Sequence, residues 1–262
     1  MKKALIVLQG LLMTFAAYFA VSLIYSIIEV IFILLTGIEK IDPQVDYCLM
    51  VLAVMVSNIV LYVLYKKYLS NRTRKQVDLK EVFSGKNIGI YLGISIGCQM
   101  FVSGVLTLIS PFFQALFAQY EETISSIFIS DTIIAGVYVV ILAPVVEELM
   151  IRGILLNRLR YALPFYAANL IQAAVFGIYH GNVIQGLYAF GIGLILGYIY
   201  EKTGTLWASV FVHMLINGSG FLAQALNIQI SVPVVLQVIV GGILLFAGIF
   251  CFYKNTGKTG EE

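Results

Sequence analysis

Residues 131–156 read DTIIAGVYVVILAPVVEELMIRGILL, a long apolar run that contains Pro144 and, near its end, Glu147, Glu148 and Arg152. A run of roughly 17–25 apolar residues can cross the hydrocarbon core of a bilayer as a helix. Ionisable side chains inside a membrane cost roughly 2.5–3.5 kcal/mol each on insertion scales, so they mark functional sites. This stretch therefore predicts a membrane helix that carries part of a buried polar site.

The rest of the chain repeats this apolar pattern. Of the 262 residues, 60% are hydrophobic and only 11% are charged, against about 25% charged in soluble proteins. Mean hydropathy is +0.96. The sequence therefore predicts an all-α, polytopic integral membrane protein in contact with membrane lipid. A net charge of +2 leaves no basic surface for nucleic acid. About eight transmembrane helices are predicted, at 4–35, 45–65, 88–110, 131–156, 164–180, 183–200, 205–223 and 232–253.

The basic residues predict the topology. With the amino terminus in the cytoplasm, every Lys and Arg except Lys40 falls on the inner side or at an inner helix end, so both termini are predicted to be cytoplasmic. We divide the chain into helices 1–3 with a basic cytoplasmic loop at 66–87 (residues 1–130), a core of helices 4–7 (residues 131–223), and a last helix with a polar tail (residues 224–262).

Two groups of glycines are spaced for helix packing. Gly89, Gly93 and Gly97 recur every four residues in the third predicted helix, and Gly193 and Gly197 do so in the sixth. Residues four apart share one face of a helix. Small residues on such a face let two helix backbones approach closely, so both faces are predicted to be packing surfaces.

Once loops and helix ends are set aside, the ionisable residues left within the membrane are few, and they include both histidines of the chain. Glu147 and His180 lie equally far from the predicted turn at 163–164, so an antiparallel hairpin would place them at the same depth, about 24 Å from that turn. Glu148 and Arg152 are four residues apart and are predicted to form an ion pair on a different face.

Two further pairs share a helix face through the same spacing: Phe176 with His180, and His213 with Asn217. A carboxylate beside an imidazole in a cavity of low dielectric can act as a general base on water. A histidine with an asparagine one turn later can donate hydrogen bonds to a developing oxyanion. Pro144, one turn before Glu147, predicts a kink that aims the carboxylate.

Two other interpretations use the same residues. Glu147, His180 and His213 would serve as three ligands of a divalent metal such as zinc, with a fourth position open for water. Because the chain has no HExxH motif, these ligands would come from three separate helices. Alternatively, the cluster would be a proton relay in a transporter, although no internal repeat supports a transporter fold.

Three motifs in this order, Glu147-Glu148-x-x-x-Arg152, Phe176-x-x-x-His180 and His213-x-x-x-Asn217, resemble the signature of the CPBP family of intramembrane proteases. That family includes type II CAAX prenyl endopeptidases, lysostaphin-resistance-like proteins and bacteriocin-processing or immunity proteins. The resemblance covers about residues 130–220 and none of the first three helices.

The resemblance implies a role for each matched residue. Glu147 and His180 would hold the attacking water, and His213 and Asn217 would stabilise the oxyanion. Glu148 and Arg152 would support the architecture, and Phe176 would shape the cavity.

The resemblance also implies a function. It predicts an intramembrane endopeptidase acting on a hydrophobic or membrane-anchored peptide or protein, through Glu/His-activated water or with a metal such as zinc. Short loops favour the family's bacterial branch, so we expect a bacterial cell membrane and a role in peptide maturation or bacteriocin immunity. The alternative from another class is a non-proteolytic scaffold or immunity protein with the same fold.

Overall fold

The computed structural model describes residues 2–38, 40–69, 78–127, 132–226 and 232–257, and these are helical almost throughout, without strands. Residues 70–77 of the predicted basic loop and the tail after residue 257 lie outside the described residues. The α-helices are α1 (Lys2–Thr36), α2 (Pro43–Leu64), α3 (Leu79–Val82), α4 (Gly85–Ile109), α5 (Gln114–Ile127), α6 (Thr132–Gly136), α7 (Ala143–Glu148), α8 (Asn157–Leu159), α9 (Phe165–Tyr179), α10 (Val183–Thr203), α11 (Leu206–Ala225) and α12 (Val234–Gly257). Three π-helical segments are π1 (Tyr65–Leu69), π2 (Val137–Leu142) and π3 (Leu149–Leu156).

Seven helical stretches in the described ranges are long and apolar enough to cross a bilayer: Lys2–Thr36, Pro43–Lys67, Gly85–Phe112, Ile133–Leu159, Val183–Thr203, Leu206–Ala225 and Val234–Thr256. The prediction of an all-α, polytopic integral membrane protein is confirmed. The remaining predicted span, 164–180, is the shorter helix α9 of 15 residues. At 1.5 Å per residue α9 is about 22 Å long, less than the ~30 Å of a hydrocarbon core.

Helices α9 and α10 form a hairpin whose tip carries His180. Gly181 adopts a positive φ of 66°, a conformation that glycine reaches without strain. Near the tip the two helices touch at Gly177 and Gly186: a Cβ on Gly177 would lie 2.6 Å from the Gly186 carbonyl oxygen. The close approach holds His180 at the end of α9 rather than in the middle of a spanning helix.

Polar contacts join the helix ends on one face of the molecule. Arg160 and Glu201 form an ion pair of 2.9 Å at the open end of the α9–α10 hairpin. Arg158 donates to Gln9 near the start of α1, and Asn255 near the end of α12 donates to Asn87 near the start of α4. These contacts agree with a topology in which both termini share one face, which we predict to be cytoplasmic.

The glycine pattern is only partly a packing pattern. A Cβ at Gly97 would lie 2.5 Å from a backbone nitrogen of α12, and one at Gly197 would overlap the amide of Asn169 on α9. At Gly89 and Gly93 nothing lies within 4 Å. The prediction of close packing therefore holds for Gly97 and Gly197 and is wrong for Gly89 and Gly93.

Candidate active site

The helix that carries the two glutamates is irregular on both sides of them. The π2 segment ends directly before Ala143–Glu148, and the fully buried π3 segment follows. π-Helical turns are rare and concentrate at functional sites. Pro144 lies at the start of α7, where the chain leaves π2, and it has no N–H to donate. The predicted disturbance at Pro144 is therefore a change of helix type.

Two asparagine side chains bond the carbonyls of π2. In a π-helix the N–H of a residue bonds the carbonyl five residues earlier, so Pro144 leaves the Val139 carbonyl without that donor. Nδ2 of Asn217 on α11 donates to this carbonyl at 3.0 Å. On the other side, Nδ2 of Asn58 on α2 donates to the Leu142 carbonyl at 3.0 Å. Side chains from two neighbouring helices thus support the irregular backbone that precedes Glu147.

Glu148 is the centre of a buried charged network. Its Oε1 accepts from Nη1 of Arg152 at 2.7 Å and from Nδ1 of His213 at 3.0 Å, and both Glu148 and Arg152 are 0% exposed. The ion pair predicted from the four-residue spacing is present. Arg152 also donates to the Gly193 carbonyl at 3.0 Å and lies over the ring of Phe176 at 4.7 Å. The guanidinium therefore links Glu148 to α10 through the Gly193 carbonyl and to α9 through the Phe176 ring.

This network orients His213. A carboxylate paired with arginine can only accept, so Nδ1 of His213 carries the proton in that bond. The other ring nitrogen, Nε2, lies 3.6 Å from Oε2 of Glu147. Among the described residues His213 is the only histidine within 4.0 Å of a Glu147 carboxylate oxygen. The structure thus pairs Glu147 with the histidine on α11.

His180 is anchored differently. Its Nδ1 lies 2.8 Å from the carbonyl oxygen of Phe176, one turn earlier in α9. A carbonyl only accepts, so Nδ1 is again the donor in this bond, and Nε2 is the ring nitrogen left outside it. The ring packs edge-on against Phe176 at 4.8 Å, and Phe176 also packs edge-on against His213 at 5.7 Å. Phe176 therefore sets the spacing between the two imidazoles.

The sequence predicted which residues lie at this site better than it predicted which of them contact each other. Glu147 and His180 were expected to face each other, but the histidine beside Glu147 is His213. His213 and Asn217 were expected to act together on an oxyanion. That role stays a prediction: Nδ1 of His213 bonds Glu148, and one N–H of Asn217 bonds a backbone carbonyl. Hairpin symmetry gives the depth of a residue, whereas the lateral partner depends on the position of α11.

Sequence reasoning missed the amides that surround the network. Asn58 is described above, and Gln172 on α9 donates to Asn169 at 2.8 Å and to the Gly193 carbonyl at 2.9 Å. The Gly193 carbonyl is therefore shared by Gln172 and Arg152. The usable signal was an amide within an apolar run, since buried polar groups need hydrogen-bond partners.

Tyrosines connect the first helices to the site. Three of them, one each on π2, α9 and α10, lie within electrostatic range of Glu147. Each packs edge-on against a tyrosine from α1, α2 or α5, with ring centroids 5.5 to 6.2 Å apart. The pairs are Tyr179 with Tyr18, Tyr138 with Tyr47, and Tyr188 with Tyr120. Helices without a motif thus still contribute to the surroundings of the carboxylate.

The three residues predicted as zinc ligands are not grouped around one point in the described part of the chain. Within the described ranges no three side chains of His, Cys, Asp or Glu are grouped so as to hold one ion. Nδ1 of each histidine is bonded to a protein acceptor, which leaves Nε2 as the ring nitrogen able to bind a metal. Zinc binding by Glu147, His180 and His213 therefore stays a prediction, and we derive no step through a metal.

Comparisons with known proteins support the motif assignment. Residues 129–219 match the family model described as Rce1-like, type II CAAX prenyl endopeptidase Rce1-like. A relative from Bacillus subtilis (strain 168), described as "Putative membrane peptidase YdiL", is 28% identical over 108 residues, which is 40% of this chain and 44% of that protein. The match thus spans less than half the length of the curated relative. No solved structure matches the chain significantly. The resemblance inferred from the three motifs is therefore confirmed, and residues 129–219 match the Rce1-like type II CAAX prenyl endopeptidase family.

Proposed function

We propose that this protein is an intramembrane endopeptidase that hydrolyses a peptide bond in a hydrophobic or membrane-anchored peptide or protein. The observation that carries the proposal is the contact between Glu147 and Nε2 of His213 at 3.6 Å, inside membrane-spanning helices. A carboxylate next to an imidazole that a second carboxylate orients is a suitable arrangement for general base catalysis. Intramembrane ionisable groups are otherwise costly to maintain.

The reaction is a hydrolysis with Glu147 as the general base. Glu147 takes a proton from water, and the hydroxide attacks the carbonyl carbon of the substrate. A tetrahedral intermediate forms, with negative charge on the former carbonyl oxygen. The C–N bond then breaks, and the amine leaves with the proton that Glu147 received.

The remaining side chains have proposed roles around this step. Because Nδ1 of His180 and of His213 is anchored, Nε2 of each ring is the atom that contacts water or substrate. The Asn217 amide has a second N–H beyond the one bonded to Val139, and we assign that N–H to the oxyanion. Glu148 and Arg152 keep His213 oriented.

The test compares cleavage by the wild-type protein and by Glu147→Gln in detergent, using hydrophobic and lipidated peptides. Loss of the general base is expected to lower the cleavage rate at least about 100-fold. Glu201→Gln is the matched control, since Glu201 is a glutamate in an ion pair at the helix ends, and it should cleave at the wild-type rate. Unchanged cleavage by Glu147→Gln would refute the proposal.

Two further measurements address the other interpretations. With a strong chelator, an unchanged rate supports water activation by protein groups alone, whereas a loss restored by zinc would support metal binding by Glu147, His180 and His213. In cells, a deletion phenotype that Glu147→Gln fully complements would indicate a scaffold or immunity protein. An ion flux in liposomes that depends on Glu147 would indicate a transporter.

A further inference from the structure

Asn58 connects the half of the chain without motifs to the helix of the catalytic glutamate. It lies on α2, and its Nδ2 donates to the Leu142 carbonyl at 3.0 Å across 84 positions of sequence. A backbone carbonyl only accepts, so the nitrogen of the amide must face it. Oδ1 of Asn58 is buried and has no hydrogen-bond partner among the described residues. The amide thus leaves one buried polar atom unpaired while its nitrogen holds this carbonyl.

The Leu142 carbonyl is at a decisive point of the backbone. Leu142 is the last residue of π2, and Ala143 and Pro144 follow it directly. Glu147 comes five residues after Leu142, less than one and a half turns along α7. A shift of the backbone at Leu142 would therefore rotate or translate the Glu147 carboxylate relative to its partners.

A second asparagine, on a different helix, holds the same segment. Asn217 on α11 donates to the Val139 carbonyl, also at 3.0 Å. The two bonds attach π2 to α2 and to α11, and α11 also carries His213. The bond from Asn217 thus ties the helix of Glu147 to the helix of the histidine that faces it at 3.6 Å.

We propose that Asn58 is a positioning residue for Glu147, acting through the Leu142 carbonyl to hold the π2-to-α7 junction. The expected effect on catalysis rests on the proposed peptidase function. A misplacement of reacting groups by about 1 Å can lower a rate on the order of 100-fold. Asn58 variants should therefore lower kcat about 10- to 100-fold while KM stays near the wild-type value.

The test uses two variants and a matched control. Asn58→Leu keeps the approximate size and removes the donor, and Asn58→Ala removes the donor together with most of the side chain. Ser57→Ala is the control, because Ser57 is the buried neighbour on α2 and its hydroxyl bonds the Ala53 carbonyl within the same helix. Ser57→Ala should retain wild-type kcat and KM. If one Asn58 variant does not fold, the other carries the comparison.

Hydrogen–deuterium exchange provides a readout that does not depend on cleavage. Amides of residues 137–149 should exchange at least several-fold faster in the Asn58 variants, with exchange in α10 and α12 unchanged, and Ser57→Ala should match the wild type. If the wild type cleaves no peptide, the peptidase proposal fails, but exchange still decides the role of Asn58. Exchange at 137–149 equal to that of the wild type in both Asn58 variants would overturn the positioning role. If the wild type cleaves peptides, a wild-type kcat in the Asn58 variants would overturn it as well.

Discussion

The Glu148–Arg152 pair allows a prediction about stability that a surface pair does not. Both side chains are 0% exposed. We expect Arg152→Met to leave the Glu148 charge buried without its ion-pair partner, and Glu148→Gln to do the same to the Arg152 charge. Breaking a buried pair by removing one partner costs about 3–5 kcal/mol. Removing both partners leaves no unpaired charge, so the double variant should be more stable than either single variant.

The surrounding hydrogen bonds support this magnitude. Arg152→Met also removes the donor to the Gly193 carbonyl, but Gln172 still donates to that oxygen at 2.9 Å, so no buried carbonyl is orphaned. Met can occupy the position over the Phe176 ring. The main loss in the single variant is therefore the unpaired Glu148 charge, and the coupling free energy of the double-mutant cycle should be at least about 3 kcal/mol.

Unfolding by a denaturing detergent measures this coupling. Trp207, the single tryptophan, packs against Tyr62 at 5.8 Å between α11 and α2, so its fluorescence reports the separation of those helices. The control cycle uses Arg160 and Glu201, whose side chains are 31% and 21% exposed. An exposed pair contributes about 0.2–1 kcal/mol. A Glu148–Arg152 coupling no larger than that of the control pair would refute the assignment of a buried charge pair.

Two further predictions concern packing and the second histidine. Gly197→Ala should lower the thermal unfolding midpoint, because the added Cβ would overlap the Asn169 amide. Gly93→Ala is the control and should leave the midpoint unchanged, because nothing lies within 4 Å of its Cβ position. Equal midpoints for the two variants would contradict the close packing at Gly197. His180→Gln should lower the cleavage rate at least about 100-fold. The unfolding midpoint should not change, because the His180 ring is half-buried and, within the described chain, bonds only its own helix. A wild-type cleavage rate would remove His180 from the site.

Local sequence rules predicted the parts of the molecule that depend on neighbouring residues. The membrane helices were predicted from apolar runs long enough to cross a bilayer, because composition alone decides whether a helix can lie in lipid. The Glu148–Arg152 pair followed from a separation of four residues on one helix. In both cases the information lies within one helix, so no knowledge of tertiary packing was needed.

The partner of Glu147 depended on features that helix periodicity does not contain. Faces were assigned with a uniform α-helix, but π2 and π3 bond each residue to one five positions away, so the side chains around Glu147 do not follow α-helical spacing. The choice between His180 and His213 then rests on where α11 packs, a contact between residues far apart in sequence. The equal depth of Glu147 and His180 stays a prediction from the hairpin, whereas the pairing of Glu147 with His213 could not be predicted from it.

Asn217 illustrates how one side chain serves both the fold and the site. Its bond to Val139 supplies a donor that Pro144 lacks in the π-helical register, so replacing Asn217 would disturb the backbone that carries Glu147 even if the side chain never touched substrate. The same bond fixes the plane of the amide, and with it the direction of the remaining N–H. A loss of activity on replacing Asn217 therefore cannot by itself establish an oxyanion donor. Asn58 donates from a different helix to the carbonyl of Leu142, three residues further along π2. It is the informative comparison, because its proposed role acts through the backbone.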